Sequence, residues 1–182
     1  VKDLADDTRH LGRETVKSFG VRSRFVHFEF FRLLSDHEGL GKKGDLMALE
    51  VNMRPSGGFT PDMINFARET DVYKIWADMV AYDSTQKPVG AHHFCAFAGL
   101  RDGKDFAMTP DAIIEKYTEQ LKMVERMPDA LADAMGNQMY LATFDTEEAL
   151  NAFFADVTRL KEVDTSEESE TAETIVVQVE RT

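Results

Sequence analysis

With 182 residues, 43% of them apolar and thirteen of them phenylalanine, the chain has material for one cored domain or two small ones, and a disordered composition is excluded. A formal charge of −12 excludes general nucleic-acid binding, which needs clustered Lys and Arg against phosphates. Half of that charge is local: from Glu162 to Thr182, seven acids stand against Arg181, a net −6, so the body is only mildly acidic. Cys95 is alone, so an intrachain disulfide is excluded, and no apolar run reaches the roughly 18 residues of a membrane helix. No signal peptide is visible, which makes the cytoplasm the default expectation. The chain opens at Val1, inside an amphipathic pattern and without an initiator methionine, which suggests a piece of a longer protein.

Residues 2–19 place Leu4, Leu11, Val16 and Phe19 on a helix that Gly20 would stop. Arg24 to Leu34 then alternates as a central strand, with His27 and Glu29 sharing one face. Gly39, Gly41 and Gly44 mark a flexible hairpin loop over Asp36 to Asp45, so that the following strand, Leu46 to Arg54, returns antiparallel. Pro55-Ser56-Gly57-Gly58 forms a turn, and Thr60 as N-cap with Pro61 at the first helical position starts a helix to about Tyr82. Its apolar stripe is Ile64, Ala67, Val72, Ile75, Trp76, Met79 and Val80.

Lys87-Pro88 reopens the chain. Val89 to Leu100 reads as a strand ending at the turn Arg101-Asp102-Gly103-Lys104, where a second hairpin would begin. Pro110 to Leu121 reads as a helix, with strands at Lys122 to Met127 and Gln138 to Phe144. Asp145 with Glu148 resembles a capping box for a helix from Thr146 to about Leu160. An acidic tail follows, with Thr174 to Val179 as a candidate edge strand. The expected fold class is α+β. The expected domains are 1–85, bearing the site, 86–161, an appended α+β subdomain, and the tail 162–182, with the boundary near residues 83–88.

The candidate site lies on the Leu46 to Arg54 strand. Glu50, Asn52 and Arg54 fall at period two, so they would share a face, while Leu49, Val51 and Met53 would bury the other. Magnesium takes hard oxygen ligands at about 2.1 Å, commonly one or two carboxylates plus substrate phosphate. Positions two apart on a strand are separated by roughly 6.6 Å. Glu50 and Asn52 could therefore share one ion or serve two ions about 4 Å apart. Glu29 joins them if the two strands pair with that face in common, which register alone decides. The competing reading is an ordinary solvated sheet face.

Arg54 with Gly57, Gly58 and the helix start at Thr60-Pro61 forms a second candidate, suited to phosphate: a bidentate guanidinium beside free backbone N–H groups. An arginine in a surface salt bridge is the competing reading. The loop Gly39-Leu40-Gly41-Lys42-Lys43-Gly44 stands between two strands and lacks a following Ser or Thr, so it reads as a solvated hairpin tip, not a phosphate loop. His92, His93 and Cys95 form the other reactive cluster, but no acid nearby in sequence orients a histidine, and a structural role is expected. His27 could support Glu29 from the same face.

The run Phe25-Val26-His27-Phe28-Glu29-Phe30-Phe31, a glycine loop and Ala48-Leu49-Glu50-Val51-Asn52-Met53-Arg54-Pro55 resembles the carboxy-terminal half of an ATP-grasp domain, as in biotin carboxylase and the large chain of carbamoyl-phosphate synthase. The resemblance covers about residues 1–80. It implies Mg2+ or Mn2+ held by Glu29, Glu50 and Asn52, ATP as co-substrate, and Arg54 facing the transferred phosphate or the carboxylate. What it implies for activity is ligation: a small carboxylate activated as an acyl phosphate and attacked by an amine-type nucleophile, as in carboxylate-amine ligases.

After Arg54 the chain has Pro-Ser-Gly-Gly where biotin carboxylase carries its bicarbonate-site residues, which argues against bicarbonate and biotin. The adenine pocket and the glycine-rich phosphate cover of the family would precede Val1, so this chain alone is expected to be inactive without the amino-terminal ATP-grasp half. The rival expectation is a non-catalytic split subunit or interaction module derived from such a protein. A glycine-rich, lysine-bearing half encoded directly upstream favours the ligase; a start codon next to Val1 favours the module. Homo-oligomerisation is compatible with either, and neither nucleic acid nor a membrane is expected as a partner.

Overall fold

The computed structural model describes residues 3–85 and 90–161. Lys87-Pro88 and the Thr174 to Val179 run therefore lie outside the described residues. The chain is α+β and divides into two compact units, one running to Ala91 and one beginning at His92.

The first unit contains α1 (Asp6–Ser18), β1 (His27–Arg32), β2 (Leu46–Asn52), α2 (Thr60–Arg68) and α3 (Val72–Tyr82). At the end of α1 the chain turns through Gly20 at φ +60°, and Gly20 and Val21 donate their N–H groups to the carbonyls of Lys17 and Val16. These bonds satisfy carbonyls that the helix end leaves open. A two-point ion pair ties α1 to the hairpin: Arg32 Nη1 and Nη2 donate to Asp7 Oδ2 and Oδ1 at 2.7 and 3.0 Å. That guanidinium holds the Asp7 carboxyl at a pKa of about 2.

β1 and β2 pair antiparallel as a two-stranded sheet, so the expected central strand is in fact one arm of a hairpin. Its tip, expected to be flexible, is closed by side chain to backbone bonds: Asp36 accepts from Lys43 N and Asp45 from Lys42 N, each at 2.8 Å. The return strand ends at Asn52, not at Arg54, and Met53 and Arg54 lie in a bend. Pro55 accounts for this, since it offers no N–H and restricts the residue before it.

The expected single helix over 60–82 is two helices. Glu69 adopts φ +47°, Asn65 Oδ1 captures Val72 N at 2.7 Å, and Asp71 caps the new helix by accepting from Lys74 N at 2.9 Å. Thr60 is the first residue of α2 and Phe59 occupies the cap position, so Thr60 is not the N-cap. No described residue of this unit is buried.

The second unit contains β3 (Phe94–Leu100), α4 (Pro110–Lys116), β4 (Leu121–Arg126), α5 (Asp129–Met135), β5 (Gln138–Phe144) and α6 (Glu147–Thr158). The strands form one antiparallel sheet in the order β3-β5-β4. The turn after Leu100 thus leads to α4, and β3 pairs with β5 instead of opening a second hairpin. Ala96, Ala98 and Leu100 of β3, Tyr140, Ala142 and Phe144 of β5, Ile113 and Tyr117, and Leu150, Phe153 and Val157 of α6 form one core. The α6 spacing of three and four residues puts its apolar side chains on one face.

Thr146, not Asp145, caps α6 by accepting from Ala149 N at 3.2 Å. Helix α5 goes unpredicted by the apolar pattern. Its end lies against β3: a Cβ on Gly99 would meet Met135 O at 1.9 Å, so only glycine fits there.

Candidate functional site

Strand register builds the candidate site. Glu29 stands directly opposite Glu50, and His27 directly opposite Asn52, so all four side chains project from one face of the hairpin. Phe28 pairs with Val51 on the other face, where Phe28 and Phe30 pack edge to face at 6.2 Å. The pairing then slips between Glu29 and Phe30: Phe30 faces Ala48, leaving Leu49 as an extra residue. Leu49 is 55% exposed, so the buried face expected of Leu49, Val51 and Met53 does not form as a continuous row. The bulge sits immediately beside the paired acids, where it ends the alternation that carries them.

Directly opposite side chains have Cβ atoms about 4.5–5.5 Å apart, and like charges so placed repel. Among the described residues neither Glu29 nor Glu50 pairs with a Lys or Arg. Asn52 Nδ2 donates a hydrogen bond to Glu50 Oε1, which turns that carboxylate toward the amide. Glu29 Oε1 lies 3.3 Å from His27 Nε2. The donors thus gathered are two carboxylates and a carboxamide, all hard oxygen ligands of the type Mg2+ and Mn2+ take, and in that respect they fit such an ion. Among the described residues no set of three His, Cys, Asp or Glu side chains is drawn together into a metal cage.

Arg54, Gly57 and Gly58 follow in the chain but are not drawn into the acid cluster. Arg54 is exposed, and its Nη1 donates at 2.9 Å to the carbonyl of Pro55. Gly58 adopts φ +58°, and Gly57 has open space where a Cβ would sit. The turn leads into α2, whose first turn carries Pro61 and Asp62.

In the second unit an acid does orient a histidine: His93 Nδ1 lies 2.8 Å from Asp145 Oδ1. These residues are distant in sequence and flank the paired ends of β3 and β5, so nothing local signals the contact. Cys95 follows on β3, but burial pushes its thiol up to about 12, which removes the thiolate a nucleophile would need. Asp156 accepts from Lys116 and from the Tyr117 hydroxyl; the lysine first and then the tyrosine hold its carboxyl below the ordinary range. Burial first, and then Asp156, raises the Tyr117 hydroxyl above its ordinary value.

No protein-family model matches this chain, and no curated protein matches it. No described helix is long and apolar enough to cross a membrane.

Proposed function

We propose that the first unit is the carboxy-terminal wall of the ATP site in an ATP-grasp ligase, the enzyme class that activates a carboxylate as an acyl phosphate for attack by an amine-type nucleophile. The observation that carries this reading is the register that sets Glu29 opposite Glu50, with Asn52 bonded to Glu50 and no Lys or Arg paired with either acid among the described residues. Glu29, Glu50 and Asn52 would hold Mg2+ or Mn2+. When bound, such an ion neutralises phosphate charge and orients the transferred group.

In the proposed reaction a carboxylate oxygen attacks the terminal phosphorus of ATP as the bond to ADP breaks, and the amine nitrogen then attacks the acyl carbon and releases phosphate. The chain's own part is positioning and electrostatics. Paired acids supply the negative charge, Asn52 fixes the rotamer of Glu50, and Arg54 with the Gly57-Gly58 turn offers positive charge and open backbone toward a phosphate. The adenine side of the site is assigned to an amino-terminal half, so Mg-ATP binding by this chain alone is expected to be weak or absent.

Titration with Mn2+, followed by loss of the free-ion electron paramagnetic resonance signal, tests the reading. Wild type should bind and Glu50→Gln should not; equal binding by both would remove Glu50 from the site.

A second reading, a split subunit that completes its site with another chain, is favoured by the apolar side chains this unit exposes, among them Leu34 at 85% and Tyr82 at 75%. Activity appearing only on mixing with a separately encoded amino-terminal half would select it.

A further inference from the structure

β3 is an outer strand of its sheet, and among the described residues no strand lies beyond it. Thr143 N donates to Gln120 O on the β4 side, so Thr143 turns its backbone groups away from β3. Its partner Cys95, and by alternation Gly99, therefore point their N–H and C=O groups outward from β3. An edge of this kind pairs readily with an extended segment that reaches it.

The chain itself carries a candidate occupant. Thr174-Ile175-Val176-Val177-Gln178-Val179, outside the described residues, is β-branched at all positions but Gln178, which favours a strand. Ile175, Val177 and Val179 recur at period two, the pattern of a strand with one covered face. The segment Glu162 to Glu173 separates this run from Lys161, the last described residue. Extended, that segment reaches about 40 Å, enough for either edge of the sheet, so reach does not choose between β3 and β4.

Handedness makes the choice. β3 and β4 run parallel to each other on either side of the antiparallel β5, and α4 leads from one to the other. α4 and α6 cover the same sheet face, because Ile113 of α4 and Leu150, Phe153 and Val157 of α6 share one core with Ala96 and Tyr140. Connections between parallel strands of a sheet keep one hand. Since β5 points opposite to β3, a connection of the same hand over the same face steps the opposite way. The step from β3 crosses β5 to reach β4; the step from β5 crosses β3 and ends on its outer edge. α6 follows that direction, for it packs on β3 as well as on β5. The chain leaving α6 follows it too: Ala107 N donates to Arg159 O at 2.7 Å and Lys161 N to Asp105 O at 2.8 Å, which sets Lys161 on the segment that comes after β3.

We propose that Thr174 to Val179 docks on the outer edge of β3 as an antiparallel strand of the same sheet, with Ile175, Val177 and Val179 extending the face of Ala96, Ala98 and Leu100 that α6 covers. The pairing closes an edge otherwise open to another chain. It does not depend on the ligase reading.

Nuclear Overhauser and amide-exchange spectra of the full chain test it. Wild type should show Hα–Hα contacts between β3 and residues 174–179, and slow exchange at Cys95 and Gly99, with the same values in dilute and concentrated samples. Val176→Pro and Val177→Pro each remove one amide, and because neighbouring amides alternate in direction, one of the two removes an amide aimed at β3. The more damaging of them should speed exchange at Cys95 and Gly99 by about 10-fold, with β5 still protected. Fast exchange at both amides in wild type, or protection that both proline variants retain, overturns the pairing. Contacts that appear only at high concentration, as a second copy's segment would give, overturn it as well. If a variant lost protection in β5 too, the wild-type Hα contacts decide: their presence upholds the strand and their absence removes it.

Discussion

Fifteen apolar residues are buried among the described residues, and all of them lie in the unit that begins at His92; the described residues of the other unit, with three helices and a hairpin, include none. In the second unit the central strand β5 is covered along most of its length, and Tyr117 packs edge to face on both Phe144 and Phe153, which lie tilted against each other. In the first, order comes from local polar devices: the Arg32–Asp7 pair, the Asp36 and Asp45 loop bonds, and the Asp71 cap. Burial of apolar surface is the dominant favourable contribution to folding, and exposed ion pairs add little. The face proposed to hold a cation therefore sits on the less strongly stabilised part of the chain, where local opening is easiest. A closely spaced pair of acids is an added cost in such a place, and one that a bound cation would offset.

Phe153→Ala tests the cored unit with the largest expected effect. Phe153 is fully buried and packs on Phe144 at 5.3 Å, so the substitution should cost about 3–5 kcal/mol. Hydrogen exchange read amide by amide should show β5 losing most of its protection. A similar loss on replacing half-exposed Trp76 of α3 by alanine would break the contrast between the units.

Gly99→Ala comes next, at about 1–3 kcal/mol, because the added Cβ meets the backbone carbonyl of Met135, which no rotamer change can move aside. Denaturant melts report it; a neutral result would mean that α5 can back away from β3.

Asp156→Asn sharpens the comparison through pH. The carboxyl of Asp156 is held below its ordinary value of 3.8, by Lys116 first and Tyr117 second. A group whose folded pKa is depressed contributes its full stability above the unfolded value and loses it as pH falls through the folded value. The variant should be less stable by about 1 kcal/mol at neutral pH, and the difference should begin to shrink as pH falls below about 4 and vanish only once the folded carboxyl itself is protonated. A difference that persisted in acid would mean that the carboxylate charge is not what Asp156 contributes.

The cored unit shows which parts of a fold can be read locally. Gln138 to Phe144 is found at its expected bounds because a continuous apolar run between turn residues marks a covered strand. Its partner could not be read: β3 and β4 both lie against it, and long-range pairing leaves no mark in either strand alone. The break at Glu69 to Asp71 was hidden because the apolar stripe of α2 continues in phase into α3. At the candidate site the residue types were legible from period two, yet the opposition of Glu29 and Glu50 depends on a bulge at Leu49, and leucine carries no bulge signal. Arg54 was misplaced because alternation was carried past the position where Pro55 ends the strand. His93 met its acid only through sheet pairing.

Glu50→Gln gives the smallest change in stability and the most telling sign. Glutamine keeps the shape of the side chain and still offers an oxygen to Asn52 Nδ2, while removing one of two charges that face each other across the hairpin. Without metal, the hairpin of the variant should therefore be more stable than wild type by about 0.2–1 kcal/mol. With Mn2+ the order should reverse, since only wild type gains from binding. No equivalent gain is expected in the second unit, where Ala96 faces Ala142 and Ala98 faces Tyr140 in pairs that carry no charge. Amide exchange of β1 and β2, with and without Mn2+, measures both signs. A variant less stable than wild type in the absence of metal would show that the two acids do not oppose folding, and the poorly cored unit would then need no cation to explain its acidic face.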